Sequence, residues 1–338
     1  MLVAVTIKDV ARRVGVSHTT VSRALRGNSL ISAETSQRIR RAAAELGYRP
    51  SAAARSLKTN RSQVLGVIVS SLDDPFFSEI LQGIEDSAQG GGYSLFIATS
   101  GRDPQREQKI VQTMMEHRTD GVIICSTSFS AGQGRQLLDY GFPIVVVNNQ
   151  SLEGFRYSIY HDDVDGSRQM TRHLIGLGHR RIAYLGNALS GRTTLDRLSG
   201  FRLEMESAGL PVPEEYVHEV MGGNPEHGLD GTRYLLGLPV RPSAIVCYND
   251  QLATGVLKGL QDAGLEVPDE ISVTGFDNIT MSAYTRPPLT TFDQPKRFIG
   301  MEAARLLLGL LKHELDEGEK VTVLKGRLLV RGSTARAR

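Results

Sequence analysis

The chain has 338 residues, with 39 Lys and Arg against 37 Asp and Glu, for a formal charge of +2 at neutral pH. Hydrophobic residues make up 40%, enough for a sizeable core in more than one domain, and only two cysteines are present, which excludes a disulfide-built scaffold. No apolar run approaches ~20 residues, so no membrane span is expected. Leu2–Val5 is too short for a secretory leader before Lys8. The expected compartment is therefore the reducing cytoplasm.

Taken in chain order, residues 6–26 read TIKDVARRVGVSHTTVSRALR. Thr6 can cap a first helix, with Asp9 where a capping box wants an acid. Ile7, Val10, Ala11 and Val14 fall at i, i+3, i+4 and i+7, forming one apolar stripe. Gly15 supplies a turn and Ser17 caps a second helix. Its Val21, Ala24 and Leu25 face back to the first, leaving His18, Thr19, Ser22 and Arg23 outward. Polar side chains on the first turn of a second helix are what a helix-turn-helix offers to the major groove. Two short helices without any partner would have the same spacing.

Charge favours a polyanion. Residues 1–61 hold twelve basic and three acidic residues, a net +9, which leaves −7 on the remainder. Ser32 then caps a third helix carrying Ile39, Ala43 and Leu46, and Gly47 stops it. After Pro50 comes Ser51-Ala-Ala-Ala-Arg-Ser-Leu57, helical in composition but too short to be stable alone. It reads as a segment that orders on docking, or as an ordinary linker.

From Val64 onward apolar runs alternate with amphipathic stretches. Expected strands are 65–69, 94–98, 121–125, 144–147, 181–185, 217–220, 244–247 and 272–276. Helical period appears at 79–89, 105–116 and 251–263. This alternation predicts parallel sheets covered by helices, in two lobes dividing near His161–Asp165. Residues 292–311 return to the first lobe, residues 321–330 add strand pairing, and residues 332–338 read as a disordered basic tail. Cys125 and Cys247 each end an apolar strand and are expected to be buried. No metal-ligand spacing, no dinucleotide fingerprint (Gly132-Gln-Gly134 lacks its third glycine), no Walker loop and no nucleophile elbow occurs. No enzyme activity and no cofactor are expected.

The sequence resembles the LacI/GalR (lactose-repressor) family of bacterial transcriptional regulators. The likeness runs from Thr6 to about Arg331 and rests on TIKDVARRVGVSHTTVSRAL and GYRPSAAARSL. Later motifs are Asp73-Asp-Pro-Phe-Phe77, Asp162-Asp163, Arg197-Leu-Ser-Gly-Phe201, Tyr248-Asn-Asp250 and Gly275-Phe-Asp277. It implies a small all-α helix-turn-helix domain (1–50), a hinge helix and linker (51–61), and an α/β bilobed periplasmic-binding-protein-like domain (62–331) of two doubly wound parallel-sheet lobes. The first lobe would hold about 62–161 and 293–320, the second about 162–292 and 321–331.

By the same resemblance His18, Thr19 and Arg23 would read base edges, while Thr6, Ser17, Thr20, Ser22 and Asn28 would hold phosphates. Ala54 and Leu57 would belong to a hinge in the minor groove, Leu57 as the wedge. A small-molecule effector would lie between the lobes, touched by Asp73, Phe76, Phe77, Ser126, Asn148, Asp162, Arg197, Asn249, Asp250, Asp277 and Phe292. Asp250 can instead cap the helix beginning at Gln251, Asp162 can serve the hinge, and Phe77 can belong to the lobe core. Asn148-Asn149 stands where the family often has Asp-Arg, and no aromatic lies near Gly222-Gly223-Asn224 to stack on a purine. Both departures lean toward a sugar or related polar metabolite. The implied protein is a homodimeric repressor on a pseudo-palindromic double-stranded operator. The competing readings are a periplasmic-type solute-binding protein and an enzyme using the same cleft.

Overall fold

The computed structural model describes residues 5–48, 61–125, 141–148, 155–315, 318 and 320–338. The expected hinge residues Ala54 and Leu57, and Ser126, lie outside them. The chain divides into two compact units, Met1–Ser62 and Gln63–Arg338, each considered by itself.

In the first unit α1 is Ile7–Val14, α2 is His18–Leu25 and α3 is Ala33–Glu45. The Thr6 backbone N–H and hydroxyl both donate to Asp9 Oδ2, at 2.9 and 2.7 Å. Those hydrogen bonds hold the Asp9 carboxyl below its ordinary range. Gly15 ends α1 at φ +76°, a left-handed conformation that a Cβ would penalise. Ser17 Oγ accepts from the Thr20 N–H at 3.1 Å, and Ser32 Oγ from the Thr35 N–H at 3.3 Å. Val10, Val21, Ala24 and Ile39 fill the small core completely buried, so the three apolar stripes meet as the sequence pattern requires.

The second unit holds two six-stranded sheets among the described residues. In the first lobe β1 (Val64–Val69), β2 (Ser94–Thr99), β3 (Gly121–Cys125), β4 (Ile144–Val147) and β5 (Tyr157–His161) alternate with α4 (Pro75–Gly90) and α5 (Pro104–Glu116). The second lobe has α6 (Asp163–Gly176), β6 (Ile182–Asn187), α7 (Arg192–Ser207), β7 (Val217–Val220), α8 (Pro225–Leu236), β8 (Ala244–Cys247), α9 (Asp250–Asp262), β9 (Ser272–Asp277) and β10 (Thr290–Asp293). The chain then returns through α10 (Lys296–Leu311) and β11 (Lys320–Leu324) before β12 (Arg327–Leu329). The strand orders are β11-β5-β4-β3-β1-β2 and β12-β10-β9-β8-β6-β7. All pairings are parallel except β10 with β12.

Two expectations are corrected. The expected second lobe includes residues 321–324, but β11 pairs with β5 from Lys320↔Tyr157 to Leu324↔His161 and so belongs to the first. Residues 332–338 are not a free tail. Ser333 is fully buried, its hydroxyl donating to the Val273 carbonyl at 2.6 Å and accepting from the Thr290 N–H at 2.8 Å. The Ala337 N–H donates to the Leu177 carbonyl at 2.9 Å, and His179 Nε2 lies 3.0 Å from the Ala335 carbonyl. Small hydroxylated residues look like linker composition, yet here they satisfy strand groups at close range.

Helices α4 and α10 cross where Gly83 faces the Arg297 carbonyl and Gly300 faces the Ile80 carbonyl. An added Cβ would sit 2.1 and 2.0 Å from those oxygens, which is why the crossing needs glycine on both sides. Cys125 and Cys247 are buried and unpaired with each other. Burial pushes the Cys125 thiol up to about 12 and raises that of Cys247 as well.

The buried Ser333 gives a stability test. Ser333→Ala strands the Thr290 N–H and should cost about 1–3 kcal/mol. A urea midpoint equal to wild type would show that the terminal segment does not carry this load.

Candidate functional site

On the first unit, α2 displays its polar face. His18, Thr19 and Arg23 are exposed, and Arg23 enters no ion pair among the described residues. Ser17 and Thr20 are bonded to each other at the cap, their hydroxyls 2.9 Å apart. Ser22 Oγ accepts from Arg26 Nη2 at 2.7 Å, and Asn28 Oδ1 accepts from the Leu30 N–H at 2.9 Å. Thr6 is engaged with Asp9. His18 and Thr19 are thus exposed on the first turn of α2 and Arg23 further along it, while the other polar residues are bonded to the backbone or side chains around them.

The second unit contains a cavity of about 530 Å³ between its lobes. Nearly every wall residue follows the carboxyl end of a strand. Ser70 and Ser71 follow β1, Arg102 follows β2, Asn148 follows β4, Met221–Asn224 follow β7, and Tyr248 and Asn249 follow β8. Asn187 and Asp277 are themselves the last residues of β6 and β9. Open parallel sheets place ligands at this edge because the following loops diverge there.

Arg197, on α7, is the centre of the floor and only 4% exposed. Its Nε donates to Asp163 Oδ1 at 2.6 Å and its Nη1 to the Tyr248 carbonyl at 2.5 Å. Its Nη2 lies 3.5 Å from Asp277 Oδ1. The guanidinium carbon stacks 3.7 Å from the Phe276 ring centroid and 4.5 Å from that of Tyr248. Burial acts to lower the Arg197 pKa, but Asp163, Tyr248 and Asp277 outweigh it and raise it. Burial acts to raise Asp163, and the charges and hydrogen bonds of His161 and Arg197 hold it below its ordinary value. His161 Nε2 is 2.8 Å from Asp163 Oδ1, so the pair joins the end of β5 to the start of α6.

Asp277 also lines the cavity, at φ +107°. Its Oδ1 accepts from Gln294 Nε2 at 2.6 Å and its carbonyl from Lys296 Nζ at 2.5 Å. Burial first, then the neighbouring Asp250 and Asp74, push its carboxyl well above the usual range. Asp250 lies one layer deeper and is fully buried. Its carboxyl accepts from the Ile279 N–H at 2.8 Å and the Thr291 hydroxyl at 2.5 Å. Burial pushes it up to about 7. A Cβ on Gly275 would sit 2.2 Å from Asp250 Oδ1, which explains the glycine of the Gly-Phe-Asp motif.

Of the residues expected to meet an effector, Asp73, Phe76, Phe77, Asn148, Arg197, Asn249 and Asp277 line the cavity. Three do not. Phe292 is 1% exposed and packs on Phe276 at 4.7 Å inside the second-lobe core. Asp162 is the N-cap of α6, accepting from the Asp165 N–H at 2.9 Å. Asp250 supports the floor from beneath, and Asn249, not Asp250, caps α9 by accepting from the Leu252 N–H at 2.8 Å. Asn148 stands at φ +55° and lines the cavity, its Oδ1 buried with no hydrogen-bond partner among the described residues. The sequence reading missed Asp74, Arg102, Asn187, Tyr248, Gln251 and His227. Strand-end position marks Asn187 and Tyr248 and would have found them.

A helix-turn-helix unit joined in one chain to a two-lobed α/β body with a strand-end cleft defines a ligand-responsive DNA-binding regulator. Residues 6–51 match the model of bacterial regulatory proteins of the lacI family, and residues 171–334 match a periplasmic binding protein-like domain. The HTH-type transcriptional repressor PurR of Actinobacillus pleuropneumoniae serotype 3 (strain JL03) is 33% identical over 318 residues, covering 94% of each chain. A lac repressor dimer bound to operator and the anti-inducer ONPF superposes with a TM-score of 0.89 at 29% identity, covering 98% of this chain and 100% of that one. A complex of the transcriptional regulator CelR with cellobiose gives 0.74 at 28%, covering 97% and 99%. The chain belongs to the LacI family: it is a DNA-binding transcriptional repressor with an effector-binding domain, not an enzyme.

Two measurements probe the floor. Arg197→Ala leaves Asp163 buried without its cation and should cost about 3–5 kcal/mol in chemical unfolding, so this variant reports on folding before it reports on ligand. Asp250 retains a proton in the folded state that the unfolded chain, at its ordinary value of 3.8, has already released. Its contribution to stability therefore declines as pH rises from about 4 to 7, by a few kcal/mol. Asp250→Asn should remove that decline. Identical pH slopes in variant and wild type would contradict the raised value.

Proposed function

We propose that the chain represses transcription as a cytoplasmic homodimer on a pseudo-palindromic operator, and that its effector is an uncharged polyhydroxylated molecule, a sugar, held in the interlobe cleft. The observation that carries the ligand class is the floor itself. Arg197 at the floor is already paired with Asp163, so the floor itself offers fixed donors and acceptors rather than an unpaired charge. Asp277, Asn148, Asn187 and Tyr248 can meet vicinal hydroxyls from both lobes. The wall near Gly222-Gly223-Asn224 carries no Phe or Tyr for a nucleobase; the ring beside Gly222 is the His227 imidazole. CelR, a structural relative, is a complex with cellobiose.

On the DNA side His18, Thr19 and Arg23 read base edges, with Arg23 suited to guanine O6 and N7. Thr6, Ser17, Thr20, Ser22 and Asn28 lie along the phosphates, and the hinge with Ala54 and Leu57 enters the minor groove. One helix-turn-helix reads few base pairs, so twofold pairing is needed. Large apolar side chains support it. Phe96 and Ile97 are exposed on the edge strand β2, and Met281 and Tyr284 are 59% and 74% exposed on the second lobe.

Thermal-shift screening against ribose, cellobiose, other sugars and purine bases tests the ligand class, since a bound ligand stabilises by mass action, about 2.7 kcal/mol at a hundredfold excess over Kd. Stabilisation by a purine with no response to any sugar would overturn it. On operator selected from random DNA, Arg23→Ala should lose about 1–3 kcal/mol and relax one position per half-site. A uniform loss across sequences would make Arg23 a phosphate contact.

A further inference from the structure

Two hydrogen bonds join the lobes across the mouth of the cleft. Arg102, in the loop after β2, donates from Nη1 to the Leu189 carbonyl of the second lobe at 3.3 Å. Gln251, at the start of α9, donates from Nε2 to Asp74 Oδ1 of the first lobe at 3.2 Å. Asp74 is held in position by its own helix, since it caps α4 and its Oδ1 also accepts from the Phe76 N–H at 3.0 Å. Arg102 follows Gly101 in a turn, both at φ +62°, and its N–H donates to Ser100 Oγ at 3.4 Å. Its charge acts on Asp74 in its own lobe and on Tyr248 in the other. At the crossover side Lys296, 2% exposed, bonds the Asp277 and Asn278 carbonyls and lies 3.4 Å from Glu79 on α4. Lys296 thus ties α10 to the end of β9 on the side away from the other two contacts, which are partly exposed.

We propose that Arg102–Leu189 and Gln251–Asp74 form a latch that holds the two lobes in their closed arrangement. An effector that reaches the mouth of the cleft competes for the same donors and acceptors, so its hold on the closed arrangement depends on what it offers Arg102, Gln251 and Asp74. Discrimination between effectors then depends on how well each one satisfies Asp74, Arg102 and the Leu189 carbonyl, besides the floor. The regulatory meaning rests on the cleft being the effector site, but the latch itself needs no effector to be tested.

Thiol exchange in the full chain provides that test. Ser70 lines the cleft and is 4% exposed, so Ser70→Cys places a thiol that a bulky aromatic disulfide reagent (dithiobis-nitrobenzoate) reaches only when the mouth opens. The two native thiols are buried in the two lobe cores, one in each, and report unfolding instead. Adding Arg102→Ala and Gln251→Ala to Ser70→Cys should speed its reaction by roughly tenfold, the loss of two ordinary hydrogen bonds, while Cys125 and Cys247 react as slowly as before. An unchanged rate, or an increase matched at both native cysteines, would overturn the latch. A sugar screen without hits would count against the effector assignment and leave the exchange result standing.

Discussion

The buried ion pair of Arg197 with Asp163 is the contact on which the effector body depends. Two charges taken from water are costly unless every donor and acceptor is used. Here the guanidinium gives one nitrogen to Asp163, one to the Tyr248 carbonyl and one toward Asp277, and its faces lie against two aromatic rings. Asp163 is shared with His161, which ends the last strand before the chain crosses between lobes. The same pair therefore fixes the floor of the cleft and the first crossover. Any ligand meets a surface already organised by folding, so little ordering cost remains at binding.

Around that centre the chemistry is graded by depth. Asp250 sits below the floor, bonded to Thr291 and the Ile279 N–H, and sets the position of Asp277 through Gly275. Asp277 faces the cavity with its other contacts taken by Gln294 and Lys296. Nearer solvent come Arg102, Asp74 and Gln251, whose bonds are longer and partly exposed. Specificity of response is thus expected near the rim and stability near the floor.

Much of this was legible in the sequence because the signals were redundant. The helix-turn-helix combined caps, apolar spacing and a charge excess, and each agrees with the observed helices. The eight apolar strands had period and composition in common with ordinary buried parallel strands. Strands β5 and β10 escaped because Tyr-Ser-Ile-Tyr-His and Thr-Thr-Phe-Asp carry polar residues into the interior. Thr290 and Thr291 are fully buried, their hydroxyls spent on Thr334 and Asp250. The terminal segment escaped for the same reason: Ser333 is polar by type and core by position. Phe292 misled in the opposite sense, since an aromatic beside a cleft motif is as well suited to the core, and strand alternation turned it inward. Arg102 could not be singled out from composition, because its role depends on a carbonyl 87 residues away.

The division of charge between the two units bears on how the cleft can reach DNA. The first 61 residues carry +9 and the remainder −7. Phosphates attract the head and repel the body, which favours engagement through the head alone. An uncharged effector adds nothing to either field, and at physiological ionic strength fields fade within about 8 Å in any case. Control by such a ligand therefore has to be mechanical. It acts through its differential affinity for two arrangements of the lobes, and the coupling can be no larger than that difference. Floor contacts common to both arrangements give affinity without control. Only groups whose partners change as the lobes move can convert occupancy into a change in operator affinity, and the proposed latch of Arg102 and Gln251 would be of that kind.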